Sequence, residues 1–266
     1  VNWRLEGAVQ RQGLATPRKA AWVTKSMGEM TSPRPTKNDL TISSRYAVRR
    51  RLGSGSMGAV YLAHDGVLDR LVALKLLRAE RFGSEGIEEL QREFQAFASL
   101  HHPQIASAHD FGYTDDRRAP FYTREYVEGA PLPPGPPGPV SPREFLRPFF
   151  DLLDALHYLH AHEVLHLDVH AGNIIVAKDS KRGSVLIDFG VLGPLRSSGT
   201  PAILPVHASV PPELLAGRKV GPPTDLYAVG WTLLYRIAGS VEGTAKLPRE
   251  IPGWGPRLTL ELERIV

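Results

Sequence analysis

Apolar and polar residues alternate over Arg45–Leu52, Ala59–His64 and Leu71–Leu77, three short runs separated by glycine and turn residues, and predict successive strands. The period then changes. Between Glu85 and Leu100, Ile87, Leu90, Phe94 and Phe97 recur at three- and four-residue spacing, which predicts a helix with one apolar face. Ile105–Tyr113 and Pro120–Val127 return to strand character. The strongest breaker in the chain follows within Ala130–Pro142, whose PLPPGPPGPVSP reads as a short polyproline II connector, with an SH3-type ligand as the sharper alternative. Ser141, Pro142 and Glu144 supply a cap, a first-turn proline and a capping-box acid. They predict a helix over Arg143–Ala161 with Phe145, Phe149, Leu152, Leu153, Leu156 and Leu159 on its apolar side. Two further short strands, Ile174–Ala177 and Val185–Ile187, precede an irregular proline-rich stretch and an apolar helix near Asp225–Ile237. Strands first and helices later predict two lobes with a cleft between them. Residues 1–44 show no sustained period and read as a flexible leader.

Composition narrows the class. The 266 residues are 42% hydrophobic and 23% charged, a globular balance with length for a substantial core. The absence of cysteine removes disulfides, thiolate zinc sites, iron–sulfur clusters and a thiol nucleophile. No apolar run reaches the roughly 18–20 residues that cross a bilayer, so a soluble, cytoplasmic domain is expected. The pI of about 9.4 comes from the leader, where seven basic and three acidic residues carry the whole net charge of +4. Residues 45–266 hold equal numbers of each sign, so the domain has no electrostatic footprint for nucleic acid.

Three groups of residues carry chemistry. Gly53-Ser54-Gly55-Ser56-Met57-Gly58-Ala59-Val60 is a glycine-rich segment whose bare backbone can approach phosphates. It lies between two strands, whereas a dinucleotide fingerprint follows a strand and opens a helix. Lys75, in Val72-Ala73-Leu74-Lys75, is either an exposed edge charge or a buried cation with a partner, for which Glu93 on the next helix is the candidate. The third group is His166-Leu167-Asp168-Val169-His170-Ala171-Gly172-Asn173, followed by Asp188-Phe189-Gly190. Two acids and an amide in loops can supply a base and hard oxygen ligands for Mg²⁺. Five histidines (157, 160, 162, 166 and 170) also crowd this region, but they straddle a helix, a turn and a loop, and no dedicated metal site is expected.

With these groups in order, residues 45–266 resemble the catalytic domain of a bacterial Hanks-type serine/threonine protein kinase: GSGSMGAVYLA, VALK, REFQAF before HHPQI, REYVEG, HLDVHAGN, DFG, VPPE and DLYAVG. The resemblance implies an α+β, two-lobed protein-kinase-like fold. A small β-rich N-lobe would cover about residues 45–127 and a mostly helical C-lobe about 128–266, after the leader of 1–44. It implies ATP in the cleft, adenine against Glu125-Tyr126-Val127, and phosphoryl transfer to Ser/Thr hydroxyls of protein substrates. Gly53, Gly55 and Gly58 would fold over the phosphates, and Val60 and Ala73 would roof the adenine. Lys75 would bind phosphate oxygens and pair with Glu93. Asp168 would take or orient the hydroxyl proton, and Asn173 and Asp188 would hold Mg²⁺. Glu213 and Asp225 would be structural acids.

Several positions depart from the family pattern. Leu167 stands where an arginine receives a loop phosphate. His170 stands where a lysine supports the transferring phosphoryl group and, with an ordinary pKa of about 6.5, supplies less positive charge. Arg124 occupies a position just before the linker that is usually apolar, and a buried guanidinium must reach a carboxylate or solvent. Gly199-Thr200-Pro201 resembles a substrate-loop motif but lies far from Glu213. The last residues, Leu258–Val266, resemble only the start of a late helix, so a C-lobe incomplete at its C-terminus is expected. These departures leave two alternatives open: a pseudokinase that binds nucleotide or partners with weak turnover, and a small-molecule phosphotransferase of the aminoglycoside or choline kinase kind.

Overall fold

Alternation of inward and outward side chains makes the first part of the domain an antiparallel sheet. The computed structural model describes residues 41–55, 57–135, 141–188 and 211–238. Residues 1–40 of the expected leader, Ser56, Phe189, Gly190, Gly199-Thr200-Pro201 and Leu258–Val266, all invoked above, lie outside the described residues. Strands β1 (Thr41–Ser43), β2 (Tyr46–Gly55), β3 (Gly58–Asp65) and β4 (Arg70–Leu77) precede helix α1 (Gly83–Ala98). Strands β5 (Ala108–Tyr113) and β6 (Pro120–Glu125) complete a six-stranded sheet of order β1-β2-β3-β4-β6-β5. One sheet face buries Ile42, Tyr46, Val48, Ala63, Val72, Leu74 and Phe121. On the other, Leu77 and Tyr122 pack with Leu90 of α1.

The β3–β4 turn is fixed by a buried acid. Asp65 accepts from Arg45 Nε at 2.8 Å and Nη2 at 2.7 Å, and from the Val67 and Leu68 backbone N–H groups. The arginine's hydrogen bonds hold this carboxyl at about 2 although burial opposes the charge.

The second lobe starts with β7 (Gly129–Pro131) and helix α2 (Pro142–Ala161), continues through β8 (Ile174–Ala177) and β9 (Ser184–Leu186), and ends, among the described residues, with α3 (Pro212–Leu215) and α4 (Pro222–Ala238). Ser141 and Glu144 form the reciprocal capping box anticipated at the start of α2. Phe149, Leu152, Leu156 and Leu159 of α2 build the core with Ile174, Leu186 and Ala228. Leu153 is the exception to its expected face: it is 40% exposed, because the neighbouring Leu152 occupies the inward position of that turn.

Two short strands had no pattern long enough to read. β1 arises within the residues assigned to the leader and pairs with β2. β7 arises at the head of the proline-rich connector and pairs with β8. The strand expected from Ile105 begins only at Ala108, because the preceding residues bond elsewhere. Leu186 N–H donates to Gln104 O (2.8 Å), Ala106 N–H donates to Leu186 O (3.0 Å), and Glu125 N–H donates to Ser107 O (2.8 Å). Residues 104–107 therefore join β9 of one lobe to β6 of the other.

Candidate active site

The glycine-rich segment is the tip of the β2–β3 hairpin, with Gly53 opposite Val60 and Gly55 opposite Gly58. Its glycines answer different needs. A Cβ added at Gly53 or Gly55 would meet nothing within 4 Å, so their side of the tip is open. A Cβ at Gly58 would fall 2.0 Å from the Leu76 carbonyl oxygen, so Gly58 is required by the approach of β3 to β4.

Strand register sets the next layer. Val60 lies opposite Lys75, Lys75 opposite Tyr122, and Ala73 opposite Arg124, which puts all five on one sheet face. Lys75 Nζ is 3.6 Å from Asp188 Oδ2 and 5.6 Å from the centre of the Tyr122 ring. Burial works against the lysine's charge, but the Asp188 carboxylate outweighs it and holds the ammonium above its ordinary pKa. Asp188 is thus a carboxylate beside Lys75. Glu93 lines a small cavity nearby with Leu90, Phe94, Tyr122, Arg124 and Asp188. Arg124, from β6, reaches the same Asp188 carboxylate. Arg124 Nε donates to Asp188 Oδ1 at 2.8 Å, and both side chains are buried. Desolvation pushes the Asp188 carboxyl up, yet Arg124 and then Lys75 pull it well below the usual carboxylate range. The requirement that Arg124 find a carboxylate is met here.

Below the sheet, one loop carries the remaining polar groups. Asn173 Nδ2 donates to Asp168 Oδ2 and to Asp168 O, both at 2.9 Å, and lies 3.5 Å from Asp188 O. His170 Nδ1 accepts from Gly172 N–H at 3.1 Å, so the ring proton sits on Nε2, which is 3.7 Å from Asp168 Oδ1. The loop is anchored from beneath by Asp225, which has no exposed surface. Its carboxylate accepts from His166 N–H (2.9 Å), Leu167 N–H (2.7 Å) and the His160 ring (2.8 Å). Leu167, at φ +59°, is held in a left-handed conformation that leucine seldom adopts.

In the linker, the Glu125 side chain pairs with Arg182 of the β8–β9 turn, with Nη2 to Oε2 at 2.8 Å. Burial opposes the charge of Glu125, but the arginine's hydrogen bond lowers its pKa overall. The backbone carbonyl of Glu125 accepts from Arg124 Nη1 at 3.1 Å. Val127 is buried with Ala106, Val185 and Ile187. Sequence patterns missed Arg182, Tyr122 and His160, because each acts through a partner far along the chain.

A family model described as a protein kinase domain matches residues 46–243. The chain belongs to the protein kinase family. This kinase domain is 32% identical over 243 residues to the serine/threonine-protein kinase PrkC of Bacillus subtilis, covering 85% of this chain and 37% of that protein. It is 34% identical over 206 residues to the serine/threonine-protein kinase PknA of Mycobacterium tuberculosis, covering 72% of this chain and 46% of that protein. It therefore spans less than half the length of these relatives. The crystal structure of the Mycobacterium tuberculosis PknI kinase domain superposes with a TM-score of 0.63 at 27% identity, covering 85% of this chain and 89% of that one. The two-lobed α+β fold expected of the family is present. Family membership implies use of ATP and a divalent metal. Among the described residues no helix is long and apolar enough to cross a membrane.

The donor chemistry of the kinase domain fits such a metal. Asp188 and Asn173 offer hard oxygens, and with Nδ2 turned to Asp168, Oδ1 is the atom Asn173 presents to a cation. The Asp188 carboxylate, however, is already held by two cationic side chains.

Proposed function

We propose that this domain transfers the γ-phosphoryl group of ATP to serine or threonine hydroxyls of protein substrates. The observation that carries this reading is the unbroken chain of short contacts from Lys75 through Asp188 and Asn173 to Asp168, which brings an ammonium, two candidate metal ligands and a candidate base to one place. Such a domain would work where ATP is supplied, in the cytoplasm.

In this mechanism the substrate oxygen bonds to the γ-phosphorus as the bond from phosphorus to the bridging oxygen breaks, and ADP leaves. Asp168 takes the hydroxyl proton. Its carboxylate is oriented by the Asn173 amide, which also grips the Asp168 carbonyl and so fixes side chain and backbone together. Lys75 supplies a permanent positive charge to the phosphate oxygens. Magnesium, held by Asn173 and Asp188, would neutralise charge on the phosphates. Gly53 and Gly55, with open space on their Cβ side, would let the backbone of the hairpin tip approach the phosphates. His170, locked through Nδ1 as the cap of a short turn, turns Nε2 toward Asp168 and steadies that carboxylate. Positioning and charge neutralisation carry the rate, with little covalent work by the protein.

Single-turnover transfer from Mg–ATP to a generic protein substrate tests this reading. Asp168→Asn should lower transfer by about 10²–10⁴-fold while nucleotide binding persists. Equal transfer by both proteins, or binding without transfer by the unaltered domain, would refute it.

A further inference from the structure

Arg124 touches both ends of the proposed nucleotide site. From the end of β6 its guanidinium spans the back of the cleft, with Nε on Asp188 Oδ1 at 2.8 Å and Nη1 on the Glu125 carbonyl at 3.1 Å. The first contact is to the acid proposed to hold the metal. The second is to a backbone acceptor in the segment proposed to meet the adenine. Lys75 faces the other Asp188 oxygen at 3.6 Å, so both carboxylate oxygens are engaged by side-chain cations. Arg124 is 7% exposed, and a charge so buried is tolerable only while those acceptors remain in reach.

We infer that Arg124 is a self-supplied competitor for the magnesium–nucleotide complex, closing the cleft by occupying Asp188 and the Glu125 carbonyl until that complex displaces it. The inference rests on the reading of Asp188 and the linker given under Proposed function. Its logic is a two-state exchange. In the closed state the positive charge on the Asp188 carboxylate comes from the protein, and in the open state it comes from the metal. The apparent affinity for Mg–ATP is then the intrinsic affinity reduced by the fraction of molecules in the open state.

Removing the guanidinium should move two measurements in opposite directions. In Arg124→Met, which keeps an apolar chain of similar length, the unliganded protein should melt at a lower temperature because Asp188 loses a buried partner. Its affinity for Mg–ATP should nevertheless rise by about tenfold or more, since no guanidinium must be displaced. An arginine that merely supports the fold would, on removal, weaken both. The experiment is calorimetric titration of the full chain and of Arg124→Met with ATP and Mg²⁺, beside thermal unfolding of each without ligand. Arg124→Gln gives the same comparison should the methionine variant not fold. On the unaltered chain, the Nε–H proton resonance of Arg124 should be protected from exchange without nucleotide and lose that protection when Mg–ATP is added. Nucleotide binding by the unaltered chain with no gain in a folded variant, or an Arg124 Nε–H that stays protected, overturns the competitor alone. Absence of binding by the unaltered chain and both variants overturns the proposed function and the competitor together.

Discussion

Asp225 is the residue whose loss the structure prices most directly. It opens α4 with no exposed surface and accepts three hydrogen bonds, from the backbone of His166 and Leu167 and from the His160 ring. Asp225→Ala removes every acceptor at once and leaves two inward-facing backbone N–H groups unanswered. Each stranded donor costs about 1–3 kcal/mol, so the variant should lose about 4 kcal/mol of stability once the His160 contact is included. At roughly 2–4 °C per kcal/mol for a domain of this size, the thermal midpoint should fall by about 10 °C. Asp225→Asn keeps one oxygen acceptor without the charge and should lose about half as much. The same substitutions act on the loop, because Leu167 at φ +59° sits in a conformation costing about 1–3 kcal/mol that the two backbone bonds to Asp225 hold in place. Circular dichroism melts of the three proteins at neutral pH measure the ranking. An alanine variant that melts within about 2 °C of the unaltered domain, under 1 kcal/mol, would refute the anchoring argument.

Gly58→Ala should destabilise the β-rich lobe by about 2 kcal/mol or more, since the new methyl would collide with the Leu76 carbonyl, while Gly53→Ala and Gly55→Ala should leave melting nearly unchanged and alter only nucleotide affinity. Similar melts for all three variants would contradict this division. Asp65, held at about 2 against an ordinary 3.8, contributes stability that is whole above pH 3.8 and is lost as pH falls toward 2. Urea unfolding should therefore show Asp65→Asn about 2 kcal/mol less stable than the unaltered domain at pH 6, with the gap closing by pH 2, and a gap independent of pH would count against it. His170→Lys should raise the rate of phosphoryl transfer by restoring a permanent charge, yet lower stability by about 1 kcal/mol because lysine cannot accept the Gly172 N–H. A rate left unchanged in a folded variant would remove His170 from the account of a weakened site.

Much of this fold was legible because its strands and long helices bury a regular subset of side chains. The alternation through β2, β3 and β4 and the capping box at Ser141 located elements to within a few residues. β1 and β7, at three residues each, are shorter than any period can register. The site was legible in its parts and not in their pairing. Asp168, Asn173, Lys75 and Asp188 do meet, as their types and order implied. The need of Arg124 for an anion could be read locally, while the identity of that anion, 64 positions away, could not. Gly58 gave a similar ambiguity. A glycine that admits a phosphate and one that admits a neighbouring strand look alike until the strand is placed.

Residues 104–107 are hydrogen-bonded on one side to Leu186 and on the other to Glu125. That stitching makes them an axle shared by both lobes, and rotation about it costs fewer broken bonds than translation across it. Rocking of the small lobe about that axle would leave Ser107 nearly stationary. Any change in the angle between the lobes must therefore be accommodated at this one short segment.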